Sequence, residues 1–230
     1  MKSRSFEYSG DSKSISSIVT HLDHMRENRP SRKMSNGKSD KTYETIKNII
    51  AAGREVFIRH GHAGLSLRKV AEEAGIAVGN LTYHFPTKLA LLDAILIEAQ
   101  ADYAEAHLQQ FEADRDSPLE ILQNVMAFYV RDAHKSHGFF MQMWGYAASD
   151  EHGKETTLGL YRPLGRFIYY LVREANPKLN DEQIRQAVMQ ISSLEEGYKL
   201  FLGVGADYGI SLQNAEILIR DITKRIVFPD

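Results

Sequence analysis

The 230-residue chain contains no cysteine, which excludes a disulfide scaffold, a thiol redox switch and any cysteine-ligated zinc or iron–sulfur centre. It also lacks a long hydrophobic run. The longest mainly apolar stretch, Leu89 to Ile97, carries Asp93 inside it and falls far short of the roughly 20 residues that cross a bilayer. No membrane association is expected. The first 30 residues have charges at both ends and no apolar run followed by a small-residue cleavage site, so they do not read as a secretory signal, and the expected location is the cytoplasm. GxxxxGK[ST], GxSxG and HExxH are all missing, which argues against an enzyme. The pairs His21/His24, His60/His62 and His134/His137 have spacings a metal could use, but no carboxylate stands beside any of them in a recognisable arrangement. They read as solvated or packed histidines, and neither metal nor cofactor is expected.

What is present is 43% hydrophobic and 25% charged residues, enough apolar material for one large domain or for a small and a medium one. The net charge of −2 is unevenly spread. Residues 1–90 hold 15 Lys and Arg against 9 Asp and Glu, and residues 91–230 hold 13 against 21. A basic front half and an acidic back half suit a protein whose N-terminal part meets phosphate, although chance segregation gives the same pattern.

Residues 1–40 are rich in Ser, Lys, Arg and Asn, with a faint apolar stripe at Ile15, Ile18, Val19 and Leu22. They are expected to form a flexible N-terminal extension. Met34 precedes the point where polar spacer gives way to periodic sequence, which makes it a candidate translation start. From Lys41 the period is helical almost throughout, with no alternation of the β kind and no Asn-Gly or Asp-Gly hairpin. The expected fold is all-α. Ile46, Ile49, Ile50, Gly53, Val56 and Phe57 define an amphipathic first helix ending near Gly61. Short helices follow at Ser66–Ala74 and Val78–His84. Pro86 and Thr87 then stop one helix and cap the next, which runs to about Phe111. Further helices are expected near Leu119–His134, Gly138–Ser149, Thr156–Ala175, Asp181–Gly203 and Leu212–Val227.

The run from Ser66 to Phe85 has the internal logic of two short helices crossing steeply. Val70, Ala74 and Leu81 face inward at helical spacing, and Ala71 is small where the helices cross. Gly75 sits where a left-handed backbone costs other residues about 1–2 kcal/mol. Ser66 offers a hydroxyl cap, and Arg68 and Lys69 follow in the first turn, where cations oppose the helix dipole. Either an anion arrives from outside, duplex phosphate being the obvious one, or these are two ordinary solvated charges. The second helix exposes Val78, Asn80, Thr82 and Tyr83, an uncharged mixture that fits a major groove. Asn pairs with the adenine N6/N7 edge, and Val and the Thr methyl can touch a thymine methyl. His84 and Lys88 are placed to reach phosphates, Lys88 at a helix N-terminus that itself attracts anions.

From Thr45 to Leu92 the chain resembles the DNA-binding domain of the TetR family of regulators. The residues that carry the resemblance are Ile50-Ala51-Ala52, Phe57, Gly61, Leu65-Ser66, Val70-Ala71, Ala74-Gly75-Ile76, Gly79, Leu81, His84-Phe85, Lys88 and Leu92. Two positions depart from the family pattern. Ala77 stands where a serine is usual, so the second helix lacks a side-chain cap worth about 1 kcal/mol. Thr82 stands where a tyrosine is usual, and Tyr83 follows it.

The resemblance implies a helix-turn-helix domain over residues 41–88 and a ligand-binding and dimerisation domain over 89–230. It implies a homodimer that binds a palindromic double-stranded DNA operator, as a repressor by default, and is released by a small, mainly apolar or aromatic effector that moves the helix carrying Lys88. It implies an effector pocket, for which Tyr129, Phe140, Trp144, Tyr161, Phe167 and Tyr170 are candidates, although the same aromatics read alone are an ordinary packed core. It implies a dimer interface on the last two helices, with Ile191, Leu194, Gly197, Phe201, Leu218 and Ile222 as candidates, although either stripe could be buried within one chain. Two readings compete: an all-helical protein-interaction module that keeps the motif as scaffold, and an enzyme of unrecognised type.

Overall fold

The computed structural model describes residues 15–35, 39–113, 117–205 and 209–229. Among these there is no strand, in agreement with the all-α expectation. The helices are α1 (Ile15–Glu27), α2 (Pro30–Ser35), α3 (Asp40–Gly64), α4 (Leu67–Glu73), α5 (Val78–His84), α6 (Lys88–Ala113), α7 (Pro118–Ser149), α8 (Glu151–Ala175), α9 (Asp181–Gly203) and α10 (Leu212–Val227).

Two hydrophobic cores divide the chain. In the first, the apolar face of α3 (Ile46, Ile49, Ile50, Val56, Phe57) packs on Val70 and Ala71 of α4, on Leu81 of α5, on Phe85, and on Leu91, Leu92 and Ile95 of α6. Gly53 lets α6 approach closely, because a Cβ there would lie 2.7 Å from Ile95 Cδ1. The floor of this core is supplied from far along the chain by Phe139, Phe140, Met143 and Tyr146 of α7. Phe57 and Phe139 meet edge to face with centroids 5.8 Å apart. The second core is built around α7, with the C-terminal part of α6, α8, α9 and α10 around it. The helix starts are capped as their sequences dictate. Ser117 accepts from Glu120 N ahead of α7, and Asn180 with Gln183 forms a reciprocal capping box ahead of α9.

Two expectations are corrected. The flexible extension over residues 1–40 is not what residues 15–35 form: α1 lies along α6 and touches α8, and α2 sits between α3 and α6. Leu22 is buried in the second core. Ser31 donates from its backbone N and its Oγ to the two carboxylate oxygens of Glu98, at 2.9 and 2.7 Å. The faint stripe was sufficient because α6 and α8 offer it an apolar wall. Residues 1–14 and 36–38 of that extension lie outside the described residues. The second correction concerns the two helices expected at Leu119–His134 and Gly138–Ser149, which are one continuous 32-residue helix. Gly138 does not break it. A Cβ at Gly138 would stand 3.0 Å from Ile58 Cγ2, so the glycine permits close crossing of α7 over α3.

Candidate functional site

The turn between α4 and α5 is closed by backbone geometry. Gly75 has φ +66, Ile76 N donates to Ala71 O at 3.0 Å and Gly75 N to Glu72 O at 3.2 Å, the two bonds of a Schellman ending. Asn48 of α3 reaches across and donates to Ala74 O at 3.0 Å, which fixes α4 against α3. Ser66 caps α4 by accepting from Lys69 N at 3.3 Å. Ala77 makes no side-chain cap to α5.

The outer face of α5 carries Val78, Gly79, Asn80 and Tyr83, all exposed, with Tyr83 at 76% the most open large side chain of the motif. Thr82 is half-buried and its hydroxyl donates to Gly79 O at 3.2 Å, back into its own helix. Tyr83 and His84 meet edge to face, with centroids 5.0 Å apart. Arg68 and Lys69 are exposed at the start of α4.

Two of the cations placed beside this face are engaged with backbone at the end of α3. Lys69 Nζ donates to Gly64 O at 3.1 Å and Lys88 Nζ to His62 O at 2.5 Å. Both satisfy carbonyls that the helix leaves open where Gly61 takes φ +64. An ammonium has three donors, so neither is used up. The same corner is buttressed by α7: Gln142 Nε2 donates to Ile58 O at 3.2 Å, and the His62 ring stacks on Tyr146 at 4.1 Å. Burial and then the Lys88 charge push the His62 pKa down.

A second candidate site lies in the lower half, around the second core, where a partly open cavity of about 30 Å³ is lined by residues of α1, α6, α7, α8 and α9. Of the predicted pocket residues, Tyr129, Phe140 and Tyr161 line it. Trp144 stands outside, 47% exposed, and donates from Nε1 to Tyr161 Oη at 3.1 Å. Phe167 is core, stacked on His107 with centroids 5.5 Å apart, and Tyr170 is buried beside Arg173.

The lining also holds groups that the sequence did not assign to a pocket: Tyr103 and His107 from α6, Glu195 and Lys199 from α9, and Leu22 and Met25 from α1. Lys199, 1% exposed, donates to Glu195 at 2.8 Å and Glu196 at 3.0 Å, and its ammonium stands 3.6 Å from the centroid of Phe140. His107 Nε2 is 2.8 Å from Tyr129 Oη. Burial, reinforced by the Lys199 charge, lowers the His107 pKa to about 4, so the ring is neutral. Burial raises the Glu195 carboxyl above its ordinary range, with Lys199 opposing the shift. The Tyr161 hydroxyl donates to Glu196 at 2.8 Å.

The candidate dimer residues fall on two different faces. Ile191 is fully buried in the second core, packed within its own chain, and is removed from the interface set. Phe201 and Leu218 are exposed, together with Ile210 and Ile217. Leu194 and Ile222 are half-buried. Leu194, Gly197, Phe201 and Leu218 line one open apolar groove of about 330 Å³ between α9 and α10, while Ile222 lines another farther along the same helices. A Cβ on Gly197 would meet nothing within 4 Å, so nothing in its own chain requires a glycine there. Among the described residues, no helix is long and apolar enough to cross a membrane.

Residues 49–95 match the family model for bacterial regulatory proteins of the tetR family. The chain is 31% identical over 98 residues to the HTH-type transcriptional regulator CymR of Pseudomonas putida, a match covering 41% of this chain and 48% of that protein. It is 32% identical over 80 residues to the HTH-type transcriptional repressor BepR of Brucella suis biovar 1, covering 35% and 38%. The chain thus spans less than half the length of these curated relatives. A crystallised Rhodococcus sp. chain assigned to the TetR family of transcriptional regulators shares the fold, with TM-score 0.67 at 18% identity over 80% of this chain and 99% of that one.

Proposed function

We propose that this chain is a member of the tetR family of bacterial regulatory proteins, whose model matches residues 49–95, and that it is a transcription regulator, a repressor by default, that grips a palindromic operator as a homodimer. Residues 41–88 form the reading head and residues 89–230 the sensing and pairing part. One observation carries the reading: the uncharged outer face of α5, with Val78, Asn80 and Tyr83 turned to solvent and a bare Gly79 between them. A short helix that buries only Leu81 among its seven residues has little reason to leave such a face open unless something enters against it. An amide, an aliphatic group and a phenol on one helix match the hydrogen-bonding and methyl edges of the major groove. Arg68, Lys69 and Lys88 flank them for phosphate, Lys88 keeping its carbonyl bond as a positioning contact.

Release follows from shared parts. The helix α6 carries Lys88 at its start and Tyr103 and His107 at the cavity, separated along the axis by roughly 1.5 Å per residue. Phe140 lines the cavity and also belongs to the core beneath α3. A small, mainly apolar or aromatic effector that favours one arrangement of these parts over another by about 1–3 kcal/mol shifts the spacing of the two reading heads.

The test is selection of bound fragments from genomic DNA by the purified protein in dilute buffer. A palindromic sequence is expected to be enriched, and Asn80→Ala with Tyr83→Ala is expected to abolish the enrichment. A failure to retain any duplex, or enrichment untouched by those changes, contradicts the proposal.

A further inference from the structure

The cavity between α6 and α9 is too small for an effector as it stands. At about 30 Å³ it has the bulk of one water molecule. What fills the rest is the chain's own N-terminal helix: Leu22 and Met25 of α1 stand in the wall beside Ala104 and His107 of α6 and Leu164 of α8. Leu22 is 3% exposed, as buried as the permanent core. The other walls belong to helices that hold the fold together. Among the side chains described in α1, Leu22 is the buried one in the second core, with Val19 and Met25 packed partly against it, so the departure of α1 would open that core at its edge.

Beside the apolar packing of α1, polar contacts from its last turn, from the connection to α2 and from the start of α2 line one face of α6. Ser31 is bound to Glu98 through two hydrogen bonds. Arg29 reaches Glu98 at 3.5 Å and Asp102 at 3.3 Å, and Arg26 reaches Glu105 at 3.6 Å. Asp102 also takes Arg54 of α3 at 3.5 Å, so one carboxylate is shared between α3 and the strap formed by α1 and its connection to α2.

The chemistry of the remaining walls limits what can replace Leu22 and Met25. Each ionisable side chain of the lining already has a partner. His107 is bonded to Tyr129, Lys199 lies between Glu195 and Glu196, Tyr161 is bonded to Glu196, and Tyr103 to Asp132 at 3.4 Å. A charged ligand would have to open a buried ion pair and leave one member uncompensated, which is strongly unfavourable. An apolar body needs only the room that α1 now occupies.

We infer that α1 is a displaceable wall of the effector site: the effector is an uncharged, apolar molecule that takes the place of Leu22 and Met25 and frees the strap from α6. This deepens the ligand-responsive reading given above and rests on it. Displacement of α1 also releases Arg29 from Asp102, leaving Arg54 as that carboxylate's remaining strap-independent partner, and so carries the event to α3.

The experiment uses the full chain and two fluorescent probes with the same apolar body. N-phenyl-1-naphthylamine is uncharged, and 1-anilinonaphthalene-8-sulfonate adds one negative charge. Leu22→Ala/Met25→Ala thins the wall, while Glu98→Gln weakens the attachment without touching the cavity; far-UV ellipticity confirms that each variant is folded. The apparent affinity of a closed site is reduced by the fraction of molecules that are open. The uncharged probe is therefore expected to bind at least about tenfold tighter to Leu22→Ala/Met25→Ala and at least about threefold tighter to Glu98→Gln, with the sulfonate unchanged. No tightening in either variant overturns the inference, and so does an equal gain for the sulfonate. Retention of genomic duplex is measured on the same samples. Duplex held by the unaltered chain with no probe gain in the variants defeats the strap alone, whereas probe gain with no duplex held by any sample defeats the regulator reading.

Discussion

Lowering the pH is expected to destabilise the lower half of the molecule through His107, and the size of the effect can be worked from its surroundings. The ring is buried, stacked on Phe167 and bonded to Tyr129, and burial together with Lys199 holds its pKa at about 4 against 6.5 when free. A histidine whose folded pKa is depressed contributes stability that is whole above the unfolded value and is lost as pH falls towards the folded one. Between pH 7 and pH 5 the unfolded chain takes up a proton here that the folded chain refuses, which removes about 2 kcal/mol. Glu195, in the same cavity, is shifted the other way by burial, so acidification favours the folded state at that group and partly masks the loss. The effect therefore has to be isolated by substitution. Urea unfolding is followed by ellipticity at fixed protein concentration, because the proposed pairing of two chains would link stability to concentration. The unaltered chain is expected to lose about 2 kcal/mol more than His107→Gln between pH 7 and pH 5. Parallel pH dependence of the two proteins would refute the assignment of a neutral, buried ring.

Gly61→Ala is expected to destabilise the chain by about 1–2 kcal/mol or more from the left-handed backbone alone, because Gly61 has φ +64 and a Cβ there meets Gln142 Oε1 at 2.5 Å; thermal unfolding checks this, and an unchanged midpoint contradicts it. Phe201→Glu with Ile217→Glu, both on the exposed apolar faces of α9 and α10, is expected to yield a monomer in sedimentation at micromolar concentration with the helix content kept; a dimer that persists places the pairing surface elsewhere. Asn180→Ala removes one arm of the capping box ahead of α9 and is expected to cost about 1 kcal/mol in urea unfolding, a loss that an unchanged transition midpoint would exclude.

The helices α3 to α5 were legible because mostly local chemistry shapes them. The three- and four-residue spacing of Ile46, Ile49, Ile50, Val56 and Phe57 admits one buried face, Gly75 marks a turn that needs positive φ, and Thr87 caps α6 by accepting from Ala90 N at 3.0 Å. Where the sequence misled, a distant partner decides. Gly138 has the look of a helix break and is a crossing point with α3. Glu195 and Lys199, four residues apart, have the spacing of an ordinary solvated pair, and only the packing of α9 on α7 takes them out of water. Ile191 and Phe201 share one apolar helix but not one face, and which face meets a partner depends on α7 covering the other. The stripe of α1 is too weak to hold a helix by itself and becomes meaningful only beside α6 and α8.

The central claim is that the outer face of α5 enters duplex DNA and reads it. Its most direct measurement is the affinity of the purified chain for a selected duplex and for a scrambled duplex of equal length, by fluorescence anisotropy over a range of salt. Binding is expected to weaken steeply with salt, with a log–log slope of about −0.9 for each phosphate neutralised, and to favour the selected sequence by about a thousandfold or more. Equal affinity for the two duplexes, or binding indifferent to salt, would contradict it.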